Sequence, residues 1–114
     1  MAYTDRAFGK IKRVAIQEVE AGAGDSTIAA AVTGAVIRVL ALALSGSAAT
    51  TVRLESTAGG TALTGTMHLG VNTSIVLPYN PVGWGDTVKG ELLNLENSAA
   101  ATISGVLVYE EIEG

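Results

Sequence analysis

A chain of 114 residues accommodates one domain, and folding at this size removes only about two-thirds of the unfolded chain's surface from water. It has no cysteine and one histidine, which excludes disulfides, thiol nucleophiles, thiolate metal sites and multi-histidine metal centres. The formal net charge of −4 argues against a nucleic-acid binder, which carries a basic face.

Residues 1–9 are mixed, carry no period and read as an N-terminal arm that reaches a neighbouring subunit. The start, Met1 to Arg6, lacks the basic-then-apolar order of a secretory signal. Residues 10–114 read as a single domain. From Lys10 to Glu20 the chain alternates imperfectly and is rich in β-branched residues, which predicts a first strand. Ala21 to Asp25 is a loop by its glycines.

Ser26 to Ser45 (STIAAAVTGAVIRVLALALS) is apolar enough to raise the question of a membrane span. Arg38 inside it opposes insertion by about 2.5–3.5 kcal/mol near a helix centre, and no basic cluster flanks it. Two strands, Thr27–Val32 and Ala35–Leu44, joined by a tight turn at Thr33-Gly34, explain the same letters. The second is apolar on both faces apart from Arg38, which predicts a central strand buried on both sides. Alanine and leucine also form helices, so strand and helix both remain open for 35–44. Ser45-Gly46-Ser47 is a turn signal.

Thr50 to Ser56 (TTVRLES) alternates cleanly, with Val52 and Leu54 inward and Arg53 and Glu55 outward. Ala58 to Thr61 is a turn. Ala62 to Leu69 reads as a weaker strand interrupted by Gly65, and Thr73 to Leu77 as a short strand ending at Pro78. Pro78 to Asp86 (PYNPVGWGD) holds both prolines and reads as a rigid loop. Thr87 to Glu96 reads as a strand whose phase slips at a bulge near Gly90. Asn97 to Ala99 turns the chain, and Ala101 to Ile112 (ATISGVLVYEEI) is the last strand. About eight short strands with turn signals and no intervening helix predict an all-β, jelly-roll-like sandwich.

Hydrophobic residues make up 48% of the chain and charged residues 16%, the latter well below the usual quarter. The aromatic residues are Tyr3, Phe8, Tyr79, Trp84 and Tyr109. A core drawn from Val, Ile, Leu and Ala is thin. With a weakly charged surface, that points to apolar area hidden between subunits. A monomer with a compact Val/Leu core is the alternative.

Little in the chain names chemistry. Glu18 and Glu20, and Glu110 and Glu111, read as solvated faces rather than acid–base pairs. His68 has no partner evident in sequence and reads as a strand histidine packed at its edge. No serine sits in a nucleophile elbow, and the glycine stretches are turns, since neither opens a helix after a strand. No catalytic, metal-binding or cofactor-binding residue is expected. The basic cluster Arg6, Lys10, Lys12 and Arg13 suits an acidic protein surface, and the acidic C-terminal end of a neighbouring copy offers one. Tyr79, Asn80, Pro81 and Trp84 lie on a stiffened loop of the kind that anchors interfaces; plugging one end of its own sandwich is an equal role for Trp84. These residues, with Tyr3, Arg6, Phe8, Lys10 and Lys12, form the candidate interface.

The run LTGTMHLGVNTSIVLPYNPVGWGDTVKGELLNLENSAAATISGVLVYEEI, residues 63–112, resembles small capsid-decoration proteins of tailed bacteriophages. Its frame is an LTG-x-M-x-L strand, an apolar strand into LPYNP-x-GW, a G-x-x-L-N-L strand and a closing G-x-L-V-Y strand. The preceding IRVLALALSGSAATTVRLES looks similar. The resemblance implies a non-enzymatic virion protein on the outer capsid surface, β-rich and often trimeric, that reinforces the head. Its implied partners are the major capsid protein and further copies of itself, with no nucleic acid, membrane or cofactor. A virion spike or lectin-like glycan-binding module, and a tail or neck ring component, are the competing readings.

Overall fold

The computed structural model describes residues 10–19, 24–99 and 101–113. Ten strands occur: β1 (Lys10–Val19), β2 (Gly24–Ala29), β3 (Ala35–Gly46), β4 (Thr50–Ser56), β5 (Thr61–Ala62), β6 (Met67–Leu69), β7 (Ser74–Leu77), β8 (Gly85–Asp86), β9 (Leu93–Asn97) and β10 (Ile103–Glu113). Among the described residues there is no helix. Two antiparallel sheets form a sandwich. The first runs β1-β10-β3-β7, with β8 also on β3, and the second runs β2-β9-β4-β5, with β6 also on β4.

The two sheets meet over inward residues that alternate along each strand. Ile37, Val39, Leu42 and Leu44 of β3 and Ile103 and Leu107 of β10 come from the first sheet. Val52 and Leu54 of β4 and Leu93 and Leu95 of β9 come from the second. The pairing of β4 with β9 sets Leu54 opposite Leu95 and Arg53 opposite Glu96. The alternation expected for TTVRLES therefore holds.

The segment 35–44 is strand, and it belongs with β2 to no common sheet. The turn at Thr33-Gly34 is present, with Gly34 at φ 78° and Ala35 N–H donating to Val32 C=O at 3.0 Å. It carries the chain from the second sheet to the first rather than closing a hairpin. No helix of the described residues is long and apolar enough to cross a membrane. β3 also runs past the expected turn, through Ser45 to Gly46.

The expectation that β3 is fully buried on both faces is corrected in an informative way. Its partners on β10 step from Ala41 (opposite Val108) to Val39 (opposite Tyr109), leaving Leu40 unmatched. This bulge reverses the phase of the strand. Ile37 and Val39 point into the core before it, and Leu42 and Leu44 after it. Leu40 faces the other way, onto the outer side of the first sheet, where Val36, Arg38, Ala41 and Ala43 are only half-buried.

Three further segments differ from expectation. Ala62–Leu69 breaks into β5 and β6 around an irregular stretch that includes Gly65. The loop 78–86 ends in β8, which docks Gly85 and Asp86 on Val39 and Arg38. Thr87–Glu96 is strand only from Leu93. Gly90 adopts φ 83° and donates its N–H to Ala35 C=O at 2.8 Å. It makes a turn against β3 rather than a bulge in a strand, because that positive φ suits glycine and not its neighbours.

Candidate interaction face

The two outer faces of the sandwich differ in kind. On the second sheet, register brings Asp25, Glu96 and Arg53 into one row across β2, β9 and β4. Asn94 and Glu55 form the next row. Arg53 pairs with both Glu55 and Glu96. The hydrogen bond with Glu55, then the charge of Glu96, hold Arg53 above the ordinary guanidinium pKa. Asn94 Nδ2 donates to Asp25 at 2.9 Å and to Glu55 at 3.0 Å. Glu55 points away from the core, as expected, but is fully buried, because the turn after β4 closes over it with Gly59 N–H donating at 3.1 Å. The carboxylates of Asp25, Glu55 and Glu96 approach within 4.8 Å of one another, and Arg53 and Asn94 already supply their partners.

The outer face of the first sheet is apolar across its middle. Register aligns Ala15, Val106, Ala43 and Val76 across β1, β10, β3 and β7, and places Val108 beside Ala41 in the next row. Ala41 and Ala43 form the floor of a shallow groove whose walls are Val76, Pro78, Val106 and Val108. Val76 is 62% exposed and Val106 37%. A sheet face that meets only water carries polar residues at such positions.

A second cleft of ≈ 390 Å³ lies on the same face, lined by Ile11, Arg38, Leu40, Tyr79, Pro81, Glu110 and Ile112. One wall is the loop between β7 and β8, and its backbone is tied to β3. Asn80 N–H donates to Leu40 C=O at 2.9 Å and Trp84 N–H to Val39 C=O at 2.8 Å. Within the loop, Asn80 Oδ1 accepts from Val82 N–H at 3.0 Å. Trp84 Nε1 donates to Pro78 C=O at 2.8 Å. Gly83 takes φ 95°, and a Cβ there would stand 2.5 Å from Arg38 Cγ. The expected rigidity of this loop therefore has a structural basis.

Arg38 grips Asp86 with two parallel bonds, Nε to Oδ1 at 2.9 Å and the terminal nitrogen to Oδ2 at 3.0 Å. That hydrogen bonding holds the guanidinium above its ordinary pKa against partial burial, and the charges of Asp86 and Glu110 act in the same direction. Glu110 sits beside Arg38 across the β10–β3 pair. It is only 8% exposed, which corrects the expectation of a solvated acidic face.

The sequence-derived interface residues are distributed as follows. Tyr3, Arg6 and Phe8 lie outside the described residues. Tyr79 (61% exposed) and Pro81 line the cleft, while Asn80 and Trp84 brace the loop that carries them. Trp84 is exposed at the surface and is absent from the core cluster. Lys10 is exposed at the start of β1. Lys12 pairs with Glu111 of its own chain at 3.2 Å, since β1 and β10 are antiparallel neighbours. Part of the acidic C-terminal end is thus engaged within one subunit. His68 is exposed on β6 opposite Thr51.

The sequence reading missed Ile11, Arg38, Leu40, Glu110 and Ile112 as one site. Only the pairing of β10 with both β1 and β3 brings them together.

Comparison with protein-family models, curated proteins and solved structures finds no match.

Proposed function

We propose that the chain is a non-enzymatic virion protein of a tailed bacteriophage that binds the outer surface of the assembled capsid as an oligomer and stabilises the head. The sequence resemblance over residues 63–112 supplies the biological setting. The observation that carries the reading is the apolar patch of Ala41, Ala43, Val76, Val106 and Val108 across the middle of one outer face, where the other face carries a bonded charge network.

The occupant of the apolar groove is a second copy of this chain. The described charges on that side of the first sheet include Arg13, Arg38, Asp86 and Glu110, two of each sign, so like faces approach without the repulsion expected of a chain carrying −4 overall. Four adjacent strands at about 4.8 Å spacing, and a β10 of 11 residues, offer on the order of 650 Å² of face. That approaches the roughly 800 Å² per partner of a stable protein interface. The bracing of the loop at the end of the face leaves Tyr79 and Pro81 preorganised for the capsid. Several loops held in one ring bind together with a high effective concentration. Contacts that bridge neighbouring capsid subunits favour the assembled shell over its separated parts. A trimer is the form favoured by the resemblance.

The test uses expanded tailed-phage heads stripped of decoration protein. The chain is expected to sediment with heads at a fixed ratio per capsid subunit and to raise the temperature at which they rupture. A chain that stays in the supernatant with every head tested, or binds without raising that temperature, overturns the reading.

A further inference from the structure

Glu110 is the cleft's unusual member. The residue is more than nine-tenths buried, and among the described residues its carboxylate takes part in no hydrogen bond and no ion pair. Arg38 stands next to it, yet the Arg38 guanidinium is committed to Asp86 through two bonds. Counting Arg38, Asp86 and Glu110 together leaves one uncompensated negative charge. The surrounding walls are Ile11, Leu40, Ile112, Tyr79 and Pro81. Among the described residues no buried side-chain oxygen lacks a partner, so the unbonded Glu110 carboxylate oxygens meet water at the cleft, where an entering cation can replace that water with a charge-assisted bond.

We propose that this cleft receives an arginine side chain presented by the protein partner that covers the Tyr79 loop. The chemistry selects the guanidinium. It is planar, more weakly hydrated than an ammonium, and able to bond a carboxylate with two donors at once. Its apolar stem matches Ile11 and Ile112, and its face stacks on an exposed tyrosine ring such as Tyr79. Arg13 stands on the same outer face of β1, opposite Val108 rather than Glu110, and extends into solvent. Among the described residues, Arg13 therefore leaves the Glu110 carboxylate without a bonded cation. The groove supplies area to a neighbouring copy, and the cleft supplies one desolvated anchor of the type that dominates interface energy. This inference rests on the reading that the Tyr79 loop faces a protein partner, and it names the residue type that partner must offer there.

The test separates the cleft from the whole assembly by using two blocked dipeptides, acetyl-Arg-Phe-amide and its citrulline counterpart, which keeps the shape and removes the charge. Each is titrated into the isotopically labelled full chain and followed by NMR. The arginine peptide is expected to shift resonances of Ile11, Tyr79, Glu110 and Ile112 and to bind at least about tenfold more tightly than the citrulline peptide. E110Q is expected to remove that preference while leaving the fold's spectrum intact. Should E110Q fail to fold, Y79A in the exposed loop serves instead and is expected to weaken arginine-peptide binding severalfold. Equal affinity for the two peptides, shifts that map elsewhere, a preference that survives E110Q, or unchanged binding to Y79A overturns the proposal. These outcomes are independent of head binding, so a failure here leaves the decoration reading standing, and a failure of head binding leaves this result readable.

Discussion

Replacing Gly105 with alanine is expected to destabilise the fold by about 3 kcal/mol or more, at or beyond the upper end of ordinary overpacking. A Cβ at this position would stand 1.8 Å from the Ala43 carbonyl oxygen, 2.8 Å from its carbon and 3.1 Å from Leu44 Cα. These are backbone atoms of the neighbouring strand, so no side-chain rotation relieves the clash. The β10–β3 ladder must part, and this is the pairing on which both the core and the outer face depend. Gly65→Ala is the internal control, because nothing lies within 4 Å of its added methyl. Urea unfolding read by circular dichroism decides the matter. A Gly105→Ala midpoint within about 0.5 kcal/mol of the parent contradicts the described register.

The second large effect concerns assembly rather than folding. Val76→Asp combined with Val106→Asp places two carboxylates on the groove walls. Both side chains are exposed in the single subunit, so the cost to the subunit's own fold is confined to the modest β-propensity of aspartate, within about 1 kcal/mol per site. In a face-to-face pair the same charges lose water and oppose their counterparts. Self-association is expected to weaken by at least about a hundredfold, or roughly 2.8 kcal/mol, and head binding to weaken with it as the linked contacts are lost. Sedimentation velocity over a concentration series provides the measurement. A double variant that associates as the parent does places the intersubunit contact elsewhere.

How far such features were legible in the sequence depends on the distance over which each is determined. TTVRLES was readable because its alternation is local and its outward residues are charged. The sandwich class followed from short strands and frequent turns for the same reason. The bulge at Leu40 was not readable: every residue from Val39 to Leu44 is apolar, so no polar residue marks where the phase reverses. The turn at Gly90 was hidden because Val88, Leu92 and Leu93 imitate a slipped strand. Its real constraints are a positive φ and a hydrogen bond to Ala35, far back in the chain.

The candidate site shows the same limit more sharply. The Tyr79–Trp84 loop stood out through its prolines, glycines and aromatics. Glu110 did not, because in sequence it is one of several acids near the C-terminus. Its burial comes from β1 on one side, β3 on the other and the Tyr79 loop above. Arg38 read as an exception in an apolar strand, and its partner Asp86 lay in a segment read as loop. A cross-strand pair and a cleft are products of topology, and topology is the part that local patterning leaves unspecified.

The central claim is that the Ala41–Ala43 groove is covered when copies of the chain meet. Its most direct test is solvent paramagnetic relaxation of methyl groups in the labelled full chain, measured from dilute to concentrated solution. The account predicts that the methyls of Ala43, Val76 and Val106 become protected as concentration rises, while those of Thr27 and Ala62 on the second sheet keep their exposure. Methyls of the groove that remain open to solvent at the highest concentration, or protection that appears on the second sheet instead, would contradict it.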